Sequence, residues 1–190
     1  MIDQHLEENE MKKINYWKII RTVAIAGILA FLFRSYLFAS YVVDGKSMEP
    51  TLHDENLIMV NKMVYDLRDI DRFDVIVFHA NKKEDYVKRV IGTPGDTIEY
   101  KDDKLYLNGE KVDEKYLEPF REDDGQPLTE DFTLNDVTGS RVVPEGQLFV
   151  MGDNRRESLD SRYFGFVSIE EVVGKVDVRY WPLSQVGLSF

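Results

Sequence analysis

The sequence predicts a mainly β protein, in which an antiparallel β-sheet domain carries a β-rich insertion and follows one N-terminal transmembrane helix. Three observations carry that prediction. A largely apolar run extends from Ile19 to Phe38. Beyond residue 40, short segments rich in Val, Ile, Phe and Tyr recur between turn residues. Two of the turns, Asp102-Asp103 and Asn108-Gly109, are short enough to make the pairing local and antiparallel.

The apolar run is bounded by charge. Thr22 to Phe33 alone is too short to cross a bilayer, so a span must include Arg21 and Arg34. Both lie near its ends, where long side chains can snorkel to headgroups while Trp17, Tyr36 and Tyr41 sit in the interface. About 20 residues at 1.5 Å rise cover roughly 30 Å of hydrocarbon. Lys12, Lys13, Lys18 and Arg21 precede the run and only Arg34 closes it, which keeps the N-terminus cytoplasmic. The expected organisation is a cytoplasmic tail 1–16, an anchor 17–38 and an extracytoplasmic domain 39–190. A cleaved secretory signal or a buried helix are the alternatives. Arg34 after the apolar run and the bulky Tyr36, Leu37 and Phe38 before Ala39-Ser40 suit cleavage poorly. The acidic stretch Met1 to Glu10 is expected to be disordered.

Strands are expected at Asn56 to Val60, Asp74 to His79, Tyr86 to Ile91, Gln147 to Met151 and Val172 to Tyr180. Thr97 to Lys101 and Lys104 to Leu107 read as a hairpin over Asp102-Asp103, with Lys111-Val112 continuing after Asn108-Gly109. From about 110 to 145 the chain becomes strongly charged, punctuated by Gly125, Pro127, Gly139 and Pro144, which reads as a solvated surface insertion.

Composition excludes several classes of function. A net charge of −11 over 190 residues does not supply the clustered Lys and Arg that nucleic acid requires. Without Cys there is no disulfide framework, thiolate nucleophile or thiolate-held zinc. His5, His53 and His79 form no spaced ligand set, so neither a metal nor another cofactor is expected.

Two residues invite chemistry. Ser47 lies between Gly45 and Pro50, a turn that displays a hydroxyl rather than packing it. A serine attacks poorly without a base, and no His/Asp arrangement is apparent. Lysine can serve where an apolar setting lowers its pKa from about 10.4 toward about 7 to 8. Strand alternation puts Lys88 on one face with Tyr86 and Val90, which shield it in part. Read blandly, these are a turn serine and an edge-strand lysine.

Four ordered segments change the balance. Gly45-Lys46-Ser47-Met48-Glu49-Pro50-Thr51-Leu52, Arg72 to Phe78, Tyr86 to Asp96 and Gly152 to Gly165 together resemble the type I signal peptidases, and the resemblance covers most of the chain. It implies a membrane-bound serine endopeptidase, embedded in the lipid bilayer, that removes signal peptides from secretory precursor proteins after small-x-small sites. It further implies Ser47 as nucleophile, Lys88 as general base, Ser158 as the residue orienting that lysine, and Asp153, Asp160 and Arg162 as the supporting shell. Some members use a serine two places before the nucleophile in the oxyanion hole; here that position is Gly45, so a backbone donor must replace it. A self-cleaving Ser/Lys protease and a non-catalytic anchored β-domain are the rival readings.

Overall fold

The computed structural model describes residues 16–121 and 126–188, except for the side chains of 32–35. The disorder expected for Met1 to Glu10 and most of the tail lie outside those residues. The chain divides into two units, Met1–Leu37 and Phe38–Phe190.

Among the described residues of the first unit, a helix, α1, runs over Tyr16–Leu37. Ile19, Ile20, Val23, Ile25, Ile28, Leu29 and Phe31 on it are all exposed. Among the described residues, however, no helix is long and apolar enough to cross a membrane. The described part therefore does not meet the expectation of a spanning helix: Lys18 and Arg21 break its first turns, and the apolar side chains described from Thr22 to Phe31 cover only about 15 Å.

The second unit is built on an antiparallel, eight-stranded sheet in the order β1-β2-β11-β3-β4-β9-β10, with β12 added to β11. Its strands are β1 (Phe38–Val42), β2 (Leu57–Asn61), β3 (Val75–His79), β4 (Asp85–Gly92), β9 (Gln147–Met151), β10 (Val167–Ser168), β11 (Val172–Trp181) and β12 (Gly187–Leu188). β1 overlaps the last residue of the segment expected as the anchor. Phe38 opens a strand, and Tyr41, expected in the lipid interface, packs against the buried Val43, Met48 and Leu52 cluster.

Alternation divides the side chains of β3 and β4 between two cores. Val75 and Val77 join Val43, Met48, Ile58 and Val176, whereas Ile76, Phe78 and Val90 join Leu148 and Val150. Each fully buried Val or Ile is worth roughly 1.5–3 kcal/mol, so a one-residue register slip would exchange both cores for solvent or clash. The four antiparallel steps from β1 to β4 leave these two strands running in the same direction. β1 pairs only with β2, and β4 pairs with β9 only from Arg89 onward. Among the described residues, then, both strands keep an unpaired edge.

A smaller sheet, ordered β7-β6-β5-β8, comprises β5 (Ile98–Lys101), β6 (Lys104–Leu107), β7 (Glu110–Val112) and β8 (Phe132–Thr133). Positive φ at Asp102 (51°) and Asp103 (57°), then at Asn108 (54°) and Gly109 (83°), closes two tight hairpins with the twist that flanking strands require. The sheet begins at Ile98, ahead of the insertion boundary expected near 110, and the segment from 110 to 145 is more than wet surface. Leu117, Leu128, Leu134 and Val143 are buried in it, as is Glu114.

The described part also contains three short α-helices, α2 (Val64–Leu67), α3 (Leu134–Thr138) and α4 (Ser161–Phe164), and three 3-10 turns at Lys115–Phe120, Ile169–Glu171 and Leu183–Gln185. Asp160 caps α4 by accepting from the Arg162 N–H.

Candidate active site

Ser47 lies in a turn pinned from beneath, because Met48 and Leu52 are almost wholly buried. The turn is closed by Glu49 N–H donating to the Lys46 carbonyl and Leu52 N–H donating to the Met48 carbonyl. Gly45 N–H is engaged by Asp54 Oδ1 at 2.8 Å, whereas Ser47 N–H has no acceptor among the described residues.

Lys88 reaches the same point from β4. Its Nζ lies 2.7 Å from Ser47 Oγ, across 41 positions of sequence. Only 4% of the lysine is exposed. Tyr86, two residues back on the same face, holds its ring 5.4 Å from Nζ. Desolvation lowers the lysine pKa from 10.5 to about 8, against the opposing pull of the Asp160 and Asp153 carboxylates.

The segment 152–162 closes over this pair and is held from three sides. Asn154 N–H donates to the Ser47 carbonyl at 3.0 Å. Asp153 accepts two hydrogen bonds from the Arg89 guanidinium, at 2.8 and 2.6 Å, and one from the Thr51 hydroxyl. Asp160 accepts from Arg162 at 2.8 and 2.9 Å and from Gly152 N–H at 3.0 Å. The ion pairs of this segment are thus only partly internal to it. Asp160 and Arg162 pair within it, but Asp153 takes its partner from β4.

Gly152 marks the tightest approach, since a Cβ there would run into both Ser158 Oγ and the Ser47 carbonyl oxygen. Ser158 departs from expectation. It is buried, but Oγ makes no hydrogen bond among the described residues, so the contact expected with Lys88 is not formed. Burial without a partner leaves that hydroxyl with an unmet demand for one.

Sequence reasoning missed a second buried network. Arg155 pairs with Glu114 at 2.5 Å, with 1% and 2% of the two side chains exposed. The same guanidinium donates to the Tyr100 hydroxyl at 2.7 Å, to Thr129 Oγ1 at 3.1 Å and to the Gly152 carbonyl at 3.0 Å. Tyr116 bridges both networks: its hydroxyl donates to Glu114 at 2.6 Å, and its ring lies 4.0 Å from the Arg89 guanidinium carbon. The smaller sheet and its extension thereby brace the loop over Ser47. An arginine amid the Val and Ile of β4 was a legible signal for Arg89. Nothing distinguished Glu114 from its charged neighbours.

A cavity of about 330 Å³ opens on Ser47 and Lys88, walled by Tyr41, Val43, Met48, Val77 and Val87. It lies between the free edges of β1 and β4. His53 faces Glu49 and His79 faces Asp85, and neither histidine bonds to Ser47. Among the described residues no group of three or more His, Cys, Asp or Glu is arranged to hold a metal ion.

Residues 16–181 match the family described as signal peptidase, peptidase S26. The chain is 54% identical over 187 residues to signal peptidase I of Bacillus caldolyticus, covering 97% of this chain and 100% of that one. It is 42% identical over 184 residues to signal peptidase IB of Staphylococcus aureus strain COL, covering 94% and 95% of the two chains. The crystal structure of a signal peptidase I from Enterococcus faecalis V583 superposes with a TM-score of 0.54 at 45% identity, over 57% of this chain and 97% of that one.

Proposed function

We propose how a chain that belongs to the signal peptidase family, peptidase S26, performs its hydrolysis: Ser47 attacks and Lys88 moves the proton. The enzyme is a serine endopeptidase that removes signal peptides from secreted precursors. The observation that carries the proposed dyad is the 2.7 Å approach of a buried lysine amine to a serine hydroxyl.

In the first step the neutral amine of Lys88 takes the Ser47 proton as Oγ bonds to the scissile carbonyl carbon. The carbonyl oxygen becomes an oxyanion, and Ser47 N–H, which has no other acceptor among the described residues, donates to it. The ammonium of Lys88 then gives its proton to the departing amine as the C–N bond breaks, leaving an acyl-enzyme ester. Water, deprotonated by the same amine, hydrolyses that ester and restores the serine. Asp153, Asp160 and Arg162 act as positioning residues, holding the loop that carries Ser158. Ser158 Oγ, buried and without a partner among the described residues, accepts from the Lys88 ammonium only after the amine has taken the serine proton.

The precursor binds as an added strand between the free edges of β1 and β4. With its carbonyl at Ser47, the first and third residues before the cut point toward Val43, Met48, Val77 and Val87. These walls leave room for small side chains and explain a small-x-small preference.

The exposed apolar side chains around α1 support membrane attachment through that helix, with the N-terminus cytoplasmic and the catalytic domain outside. Anchoring enzyme and signal peptide in one bilayer raises their effective concentration. No cofactor enters the scheme.

The test is cleavage of a precursor whose signal peptide ends in Ala-x-Ala by Ser47→Ala and Lys88→Ala, with folding followed by circular dichroism. Each variant is expected to remain folded and lose at least about 1,000-fold in kcat/KM. A folded variant that retains near-normal turnover overturns the assignment of that residue.

A further inference from the structure

A second, larger cavity adjoins the catalytic one and has no part in the scheme above. It holds about 780 Å³ and is lined by the apolar Phe78, Tyr86, Leu159, Phe164, Phe166 and Val167, with the exposed polar side chains of His79, Lys82 and Glu171 also on it. Tyr86 and Leu159 line both cavities, so the two spaces share a wall. The far end is closed by the turn between β3 and β4, which includes Ala80.

Which substrate residues could reach it follows from the alternation of β4. Val87 and Val77 line the catalytic cavity and pack in one core, whereas Phe78 and Tyr86 pack in the other, Tyr86 reaching both cavities from that side. An extended peptide beside β4 has the same period of two. With its first and third residues on the Val87 side, its second and fourth must project on the Tyr86 side, toward the larger cavity. The middle residue of a small-x-small site therefore passes over Tyr86 and Leu159.

We propose that this cavity is a binding site for the second residue before the cut, and for the fourth beyond it, and that it selects large apolar or aromatic side chains there. The walls favour that class: Phe78 lies edge-on to Tyr86 with ring centroids 6.2 Å apart, and the Phe164 ring lies 6.4 Å from Phe78. A ring entering the cavity meets aromatic edges and faces and displaces water from apolar surface. The site rests on Ser47 and Lys88 being the catalytic pair, because their position fixes the register of the peptide.

The experiment uses the full-length enzyme in detergent micelles and peptides with Ala fixed at the first and third positions before the cut. The second position is varied among Ala, Leu, Phe and Asp, and the readout is the ratio of kcat/KM values within each enzyme, which does not depend on the folded fraction. Wild type is expected to favour Leu and Phe over Ala by about tenfold, the scale set by a few methylenes in a partly open apolar pocket. Phe164→Ala is expected to reduce that ratio to about threefold. Ala80→Trp, at the exposed rim, fills the cavity without removing a wall and is expected to abolish the preference for Phe. Equal turnover of the Ala, Leu and Phe peptides by wild type, or ratios unchanged in Ala80→Trp, overturns the site while leaving the dyad intact. Near-normal turnover of these peptides by folded Ser47→Ala or Lys88→Ala overturns the dyad reading and this site with it.

Discussion

Titration of the Lys88 amine is the sharpest consequence of its burial. With a pKa of about 8, roughly one-tenth of the amine is neutral at pH 7, and half at pH 8. A lysine at its ordinary 10.5 would be neutral in only about 3 molecules in 10,000 at pH 7. The kcat/KM of wild type on an Ala-x-Ala peptide, measured from pH 6 to 10.5, is therefore expected to rise tenfold per pH unit, bend near 8, and level about tenfold above its value at pH 7. Stability carries the same signature. The unfolded chain holds the lysine proton up to 10.5 and the folded chain releases it near 8, so the unfolded state binds more protons between those limits. Stability must then rise with pH across that window, by roughly 3 kcal/mol, with the full penalty present below it. Subtracting the urea stability of Lys88→Met from that of wild type at each pH isolates this contribution from other titrating groups. An activity limb at or above pH 10, or a stability difference that stays flat between 8 and 10.5, would refute the desolvation argument. A limb near 6.5 would instead implicate a histidine.

Two further perturbations probe the braces around the loop. Glu114→Gln leaves the fully buried Arg155 without its counter-charge, and urea unfolding is expected to show a loss of about 3–5 kcal/mol; a loss under about 1 kcal/mol would show that the pair does not support the loop. Gly152→Ala forces a Cβ against Ser158 Oγ and the Ser47 carbonyl, and is expected to cut kcat/KM by about 100-fold through displacement of Ser47. Unchanged turnover in that variant would mean that the loop can shift without disturbing the serine.

How much of this molecule was legible in its sequence depends on distance along the chain. The strand at Gln147–Met151 has the bounds that alternation predicts, and the hairpin over Asp102-Asp103 follows from two residues that tolerate positive φ. These signals work because a strand and a tight turn are decided by neighbours one to four residues apart. β1 was hidden for the complementary reason: Phe38 to Val42 continues an apolar run, and composition does not reveal where a helix gives way to a strand. β10 and β12 span two residues each, too few to register a period.

The residue types at the candidate site were likewise readable, as a serine in a Gly/Pro turn and a lysine within an apolar strand. Their meeting was not, since 41 positions separate them and no periodicity reaches across that interval. The pairing of Arg89 with Asp153 spans 64 positions, and that of Arg155 with Glu114 spans 41. Whether a charge is buried depends on what the rest of the chain lays over it, so a sequence that lists Glu114 among solvated acids gives no sign that it counters a wholly enclosed guanidinium. The sequence by itself determined the β-rich class, the local hairpins, the family-like segments and the identities of the groups available for chemistry. The tertiary structure alone decided which of those groups touch and how dry their setting is, because contact and desolvation arise only when distant segments pack together.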